Sequence, residues 1–178
     1  YLRCRAGDSG TYHLRTSPCE TSKMAQFGIK QSFPPGDDEI SVAIRGFDWA
    51  STELGAVEHW SDTLIALVAL MLGSAQPMFM AWGHDKVWLY NVACLPILGH
   101  KHPSALGSGI ADVWAEVWTD LGPLVERVYS GQSVHMADIS LMIDRNGNPD
   151  EAHFSFSYNP AFERSGRVSG VFGVCIDT

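Results

Sequence analysis

The chain has 178 residues, 46% of them hydrophobic, and a formal net charge of −8 at pH 7, which predicts one domain, or one domain with an extension. Residues 1–48 carry equal numbers of acidic and basic side chains, so the rest of the chain is acidic and has no basic cluster, which argues against nucleic acid and anionic membranes as partners. The longest apolar run, residues 64–72, is about half of the roughly 20 residues that a membrane-spanning helix needs.

Residues 1–46 are predicted to form a loosely ordered arm, because Gly, Ser, Thr and Pro interrupt them without a sustained hydrophobic period. Alternatively, Met24 is the natural start, and residues 1–23 are a tag or upstream remnant. Residues 40–44 can add one short strand. The folded domain is then expected to span residues 47–178.

A helix is predicted from Trp60 to Leu72, with Ser61 as its N-cap. Apolar residues occupy two sides of this helix, which indicates that both sides are covered. The sheet of the domain would cover one side and a second subunit the other. We therefore expect an N-terminal helical cap and a homodimer formed through this helix.

Two short apolar runs, residues 77–82 and 86–90, flank the turn signal Gly83-His84-Asp85 and predict a β-hairpin. Asn91 follows directly and is a favoured helix N-cap. Residues 92–98 are predicted to form a short helix that ends at Gly99.

The second half of the chain predicts two helices and three strands. The helices span residues 110–117 and 121–129, and Pro123 fits only in the first turn of the second one. The strands are residues 134–143, 151–158 and 168–176. Asn146-Gly147 forms the first connecting turn, and residues 160–166 the second connection. This order predicts an α+β fold with a five-stranded antiparallel sheet and flanking helices.

Several motifs in this order resemble the PAS family. Tyr90-Asn91 is similar to the opening of its first inner helix, and residues 144–147 are similar to its D/R-x-x-G turn. Pro160, Gly166 and Gly170 fit its P-x-x-D/E-x-x-G-R/K-V-x-G segment. Ile176-Asp177-Thr178 resembles the D-I-T sequence at which a signalling helix normally begins.

The stretch from Asp48 to Gly55, with Trp60 and His102-Pro103-x-x-x-Gly107, most resembles the PAS modules of bacterial sensor histidine kinases. The chain has no phosphoacceptor-histidine helix and no ATP-binding glycine set. The resemblance therefore implies a non-enzymatic input domain that passes its state, through Asp177 and Thr178, to a downstream kinase domain.

The resemblance also implies that a small apolar ligand binds between the sheet and the inner helices. The candidate lining set is Phe79, Tyr90, Cys94, Trp114, Trp118 and Phe156. The alternative for each of these residues is an ordinary core position, since aromatic side chains bury large areas.

No cofactor or metal is predicted, and flavin and haem are the alternatives. Cys94 lies in a family-like helix, but residues 91–96 do not match the flavin-bonding cysteine motif of the light-sensing LOV branch. Haem in some PAS domains needs one histidine ligand. The candidates are His100, His102, His135 and His153.

The four cysteines, Cys4, Cys19, Cys94 and Cys175, have neither C-x-x-C nor zinc spacing. We expect reduced thiols and a cytoplasmic location. Two alternatives to the kinase-linked sensor remain at this point. One is a ligand- or cofactor-binding PAS sensor without a kinase, and the other is an enzyme on a similar fold, for which no convergent catalytic set is found.

Overall fold

The computed structural model describes residues 33–177 of the chain. The strands are β1 (Met78–Trp82), β2 (Val87–Tyr90), β3 (Val134–Asp144), β4 (Pro149–Phe162) and β5 (Val168–Asp177). The α-helices are α1 (Glu39–Gly46), α2 (Asp62–Leu72), α3 (Leu95–Leu98), α4 (Ile110–Val113) and α5 (Trp118–Tyr129). Single 3₁₀ turns occupy Trp49–Ser51, Val57–His59, Val92–Cys94, Gly99–Lys101 and Ala115–Val117.

The five strands form one antiparallel sheet in the order β2-β1-β5-β4-β3. The hairpin β1–β2 and the meander β3–β4–β5 are joined where β1 pairs with β5, with Phe79 opposite Gly173. The predicted fold class is confirmed. The segment between β2 and β3 supplies helices α3, α4 and α5, which cover the inner face of the sheet.

Ser61 caps helix α2 as predicted, because its hydroxyl accepts a hydrogen bond from the Leu64 amide at 3.2 Å, and the helix begins at Asp62, two residues after the predicted start. Leu64, Val68 and Met71 are buried, and the helix packs against β1 and β2. Leu70, on another side of the helix, is 58% exposed. One side of α2 is therefore covered by its own sheet, as predicted.

The strand predicted at residues 40–44 is wrong: the segment lies in α1. The Asp38 carboxylate caps this helix by accepting hydrogen bonds from the amides of Ile40 and Ser41 at 3.1 and 3.0 Å. Ile40 and Ile44 are fully buried. Their spacing of four residues fits one helix face as well as one strand face, and the cap favours the helix. Residues 1–32 of the predicted arm lie outside the described residues.

The two helices predicted between residues 110 and 129 have different limits in the structure. The first is interrupted at Trp114, whose φ of −115° and ψ of 34° end α4. Helix α5 begins at Trp118, so Pro123 lies inside the helix and not in its first turn. A proline there removes one backbone hydrogen bond, and the buried face of Leu121, Val125 and Val128 offsets that loss.

Strand β4 extends to Phe162, so the loop predicted from residue 160 begins too early. Pro160 pairs with Val171 of β5, and the register shifts directly after Ala161. The pairing of β3 with β4 ends at Val134 and Tyr158. Proline has no N–H group to donate. It is tolerated where one neighbouring strand is missing, because no hydrogen bond between strands is then lost.

Among residues 33–177, no helix is both long and apolar enough to cross a membrane.

Candidate functional site

An apolar cavity of about 50 Å³ lies between the inner face of the sheet and helices α3, α4 and α5. Each of the five strands contributes at least one side chain to its wall. On the helical side, Ile97, Leu98, Ile110 and Leu121 close it. The described fold therefore holds a small cavity at the place where the resemblance implied a ligand.

Aromatic rings in close contact form the sheet side of this cavity. The ring centroids of Phe79 and Trp88 are 4.3 Å apart, and Phe156 stacks on Tyr158 at 4.2 Å. Gly173 makes room for this arrangement, because a Cβ atom there would lie 2.2 Å from the Phe79 ring. The sheet side of the cavity is therefore rigid and tightly packed.

Of the six predicted lining residues, the structure brings four together around the cavity: Phe79, Cys94, Trp114 and Phe156. Tyr90 and Trp118 are not among its lining residues. Trp118 is half-buried and packs beside Gly122 of the same helix.

Tyr90 is fully buried, and its hydroxyl lies 2.8 Å from Nδ1 of His102. Nε2 of His102 in turn lies 3.0 Å from the carboxylate of Glu39. These contacts connect β2 to helix α1 through the loop that contains His102. Tyr90 thus holds the N-terminal helix to the sheet and does not face the cavity.

Sequence reasoning missed Trp88, Phe154 and Tyr158 as lining residues. Phe154 and Tyr158 lie two residues on either side of Phe156, so the period of a strand already placed them on the same face. Trp88 carries a further feature, because its indole N–H is buried and has no hydrogen-bond partner among the described residues. Buried unpartnered donors are rare in native proteins.

Two thiols, Cys94 and Cys175, also line the cavity, and neither is in a disulfide. The Cys94 thiol donates to the carbonyl of Met78 at 3.2 Å. Burial raises the pKa of each thiol to about 12, so both are protonated and weakly nucleophilic at neutral pH. Both pKa values lie above the ordinary thiol value of 9.0. The contribution of the two protonated thiols to the free energy of unfolding is therefore complete below pH 9 and is lost as the pH rises towards 12.

Asn91 lies at the predicted junction of strand and helix, but its side chain does not cap the following turn. The side-chain oxygen accepts from the amide of Met78 at 3.1 Å. The amide group donates to the carbonyls of Met71, Ser74 and Gln76 at 2.7–3.1 Å. Asn91 therefore joins the end of α2 to the start of β1, and its predicted N-cap role is wrong.

The cavity wall is connected to the end of β5 through Arg145, in the turn between β3 and β4. The Arg145 carbonyl accepts from the amide of His100, directly after α3, at 2.9 Å. Its guanidinium lies 5.5 Å from the ring centroid of the cavity residue Phe154 and 2.7 Å from the carboxylate of Asp177. Asp177, a predicted output residue, is thus linked to the cavity by one side chain. Thr178 lies outside the described residues.

The cavity is small, and the four histidines named as candidate haem ligands lie elsewhere. Its volume is well below the roughly 300–1,000 Å³ of pockets that hold drug-sized ligands. None of His100, His102, His135 and His153 is among its lining residues. Within residues 33–177, no group of three or more His, Cys, Asp or Glu side chains could hold a metal ion.

A family model described as "PAS fold" matches residues 72–178. A LOV protein of Rhodobacter sphaeroides aligns with a TM-score of 0.51 and 12% identity, over 65% of this chain and 66% of that chain. An RNA-binding light-oxygen-voltage receptor aligns with a TM-score of 0.50 and 18% identity, over 71% of this chain and 36% of that chain. The PAS domain of BvgS from Bordetella pertussis aligns with a TM-score of 0.45 and 18% identity, over 66% of this chain and 86% of that chain. A comparison with curated proteins found no match.

Proposed function

The chain belongs to the PAS fold family, and on that premise we propose that it is the sensory and dimerisation input domain of a bacterial two-component signalling protein. The observation that carries this proposal is the connection from the cavity to Asp177 through Arg145. A change at the cavity would move the end of β5, from which a signalling helix would continue in this proposal. The downstream domain would be the kinase, and the location would be the cytoplasm.

The signal for this domain would be a small, mostly apolar ligand in the inner cavity. Phe79, Cys94, Trp114 and Phe156 would contact it, and an acceptor atom on the ligand would pair with the unpartnered N–H of Trp88. A hydrogen bond to a buried, otherwise unpartnered donor favours the bound state, because the donor has already lost its water. Mass spectrometry of compounds released on denaturation tests this directly, and a domain that releases none and does not change its melting temperature with any small apolar compound would contradict it.

No cofactor is part of this proposal. An absorbance spectrum of the purified domain is expected to contain neither a flavin band nor a Soret band. Either band would instead favour the second candidate, a cofactor-binding PAS sensor that is not linked to a kinase.

The dimer would form through the outer side of α2. Leu64, Val68 and Met71 are used inside the domain, so the exposed residues of the helix are Asp62 at its start, Ala66, Ala69 and the 58% exposed Leu70. An apolar side chain this exposed is a reasonable contact for a second subunit.

Light scattering at micromolar concentration is expected to give the dimer mass, and Leu70→Glu is expected to weaken dimerisation at least about tenfold, because it buries a charge in the interface. Met142→Glu is the matched control, since Met142 is 53% exposed on β3, away from α2. The proposed interface would be contradicted if the unchanged domain were a monomer. It would also be contradicted if Met142→Glu dissociated the dimer and Leu70→Glu did not.

A further inference from the structure

A second cleft, of about 400 Å³, lies apart from the inner cavity. It is bounded by parts of the segment between residues 53 and 64, the end of β1, Tyr129 of α5 and the start of β5. No residue lines both this cleft and the inner cavity. Its volume is in the roughly 300–1,000 Å³ range of small-molecule sites, so we call it the cap cleft and treat it as a separate site.

The apolar surface of the cap cleft is aromatic and well fixed. Trp60 and Trp82 are each 7% exposed, and Leu64 is 2% exposed. The Trp60 indole donates to the carbonyl of Gly55 at 2.9 Å and packs edge-on against Trp49. A preformed aromatic surface binds an apolar group with little loss of side-chain entropy.

Ser169 is a lining residue of the cap cleft and carries a polar atom that the described residues leave unpaired. Its hydroxyl is buried and has no hydrogen-bond partner among residues 33–177. Its backbone carbonyl accepts from the amide of Gly83 at 2.8 Å, which holds the start of β5 against the β1–β2 turn. A ligand with a polar group would satisfy this hydroxyl.

Two opposite charges line the same cleft without neutralising each other. One oxygen of Glu163 accepts from the Ser61 hydroxyl at 2.8 Å, which leaves the other oxygen available. Arg167 lies across the same loop, where its carbonyl accepts from the Glu163 amide at 2.9 Å. No ion pair of either side chain occurs among the described residues.

A third charge, Glu53, is already used by the protein. Its carboxylate accepts from the amides of His84 and Asp85 at 2.9 and 2.6 Å and so fixes the hairpin turn. A simple anion in the cleft would meet Glu163 and Glu53, and a simple cation would meet Arg167. The charges therefore favour a ligand that carries both signs.

We propose that the cap cleft binds a free amino acid with an apolar side chain. Its ammonium group pairs with Glu163, and its carboxylate pairs with Arg167 and accepts from the Ser169 hydroxyl. Its side chain lies against Trp60 and Trp82. This site shares no lining residue with the inner cavity. A failure to bind amino acids would therefore not contradict the sensory role proposed above.

Isothermal titration calorimetry of the whole chain at pH 7.5 with L-phenylalanine and L-leucine tests the proposal. At least one of them is expected to bind with one-to-one stoichiometry. Glu163→Gln and Arg167→Gln are each expected to weaken binding at least about tenfold, because each removes one charged hydrogen bond. Arg164→Gln is the matched control: Arg164 is exposed on the same loop and does not line the cleft, so its affinity is expected to equal that of the parent chain.

A charge variant could also lose binding because it is misfolded, and two further measurements distinguish that case. Phenethylamine, which lacks the carboxylate, is expected to bind at least about tenfold more weakly than L-phenylalanine to the unchanged protein. Ser169→Ala is expected to leave the melting temperature of the ligand-free protein unchanged or higher, while weakening amino-acid binding. Absence of saturable binding up to about 10 mM, equal binding of phenethylamine, or an equal loss in the Arg164 variant would each overturn the proposal.

Discussion

Gly99→Ala is expected to lower the free energy of unfolding by roughly 3 kcal/mol or more, the upper range for single substitutions. Gly99 has φ 54° and ψ −128°, a combination that side chains with a Cβ atom rarely adopt. An added Cβ would also lie 2.0 Å from the carbonyl oxygen of Arg145. The backbone fixes the position of the Cβ atom, and the group it meets is a backbone carbonyl, so neither a rotamer change nor a small side-chain shift relieves the contact.

Gly147→Ala is the matched control, because Gly147 also has a positive φ, of 88°, but an added Cβ would have no atom within 4 Å. Its expected cost is the backbone strain alone, about 1 kcal/mol. Urea unfolding followed by tryptophan fluorescence measures both variants. Equal losses would mean that the close approach of Gly99 to Arg145 does not hold the end of α3 against the β3–β4 turn.

Asn91→Ala is expected to destabilise the domain by roughly 3 kcal/mol, which corresponds to a fall in melting temperature of roughly 6–12 °C for a chain of this size. Asn91 is fully buried, and its side chain serves the amide of Met78 and the carbonyls of Met71, Ser74 and Gln76. The alanine variant leaves these backbone groups without their partner in a place where water does not replace it.

Asn159→Ala is the control for that change, since Asn159 is half-buried and its side chain donates only to Ser157, at 3.2 Å, within the described residues. A loss below about 0.5 kcal/mol is expected for it. Differential scanning calorimetry compares the two variants. If Asn91→Ala were as mild as Asn159→Ala, the connection between α2 and β1 would not depend on the Asn91 side chain.

The fold was largely predictable because its strands and turns carry strong local signals. The strict alternation through Phe154 and Phe156, and the Asn146-Gly147 turn, each have one natural interpretation. The segment from Ile40 to Ile44 does not, because a spacing of four residues fits both a helix and a strand. The Asp38 cap decides between them. Asp38 is the middle one of three consecutive acidic residues, Asp37 to Glu39, so the sequence alone does not single it out as a cap.

The cavity was predictable only in part, because periodicity gives the face of a residue but not its partners. Phe79, Cys94, Trp114 and Phe156 line it as predicted, whereas Tyr90 is directed to His102 by a hydrogen bond across a loop. The role of Arg145 depends on a contact with Asp177 that is 32 residues away in sequence. The cap cleft likewise joins residues from four separate segments, and no local pattern indicates such an assembly.

In the proposed sensory role, a change in the inner cavity is passed to the end of β5 through Arg145. Xenon is a suitable probe, since it enters dry apolar cavities, and amide resonances of the ¹⁵N-labelled domain report its effects. We expect xenon to shift the resonances of Gly99, Arg145 and Asp177 together with those of the cavity wall, and Arg145→Gln to remove the shift at Asp177 alone. Shifts confined to the cavity wall, or an Asp177 shift that persists in the Arg145 variant, would contradict the claim.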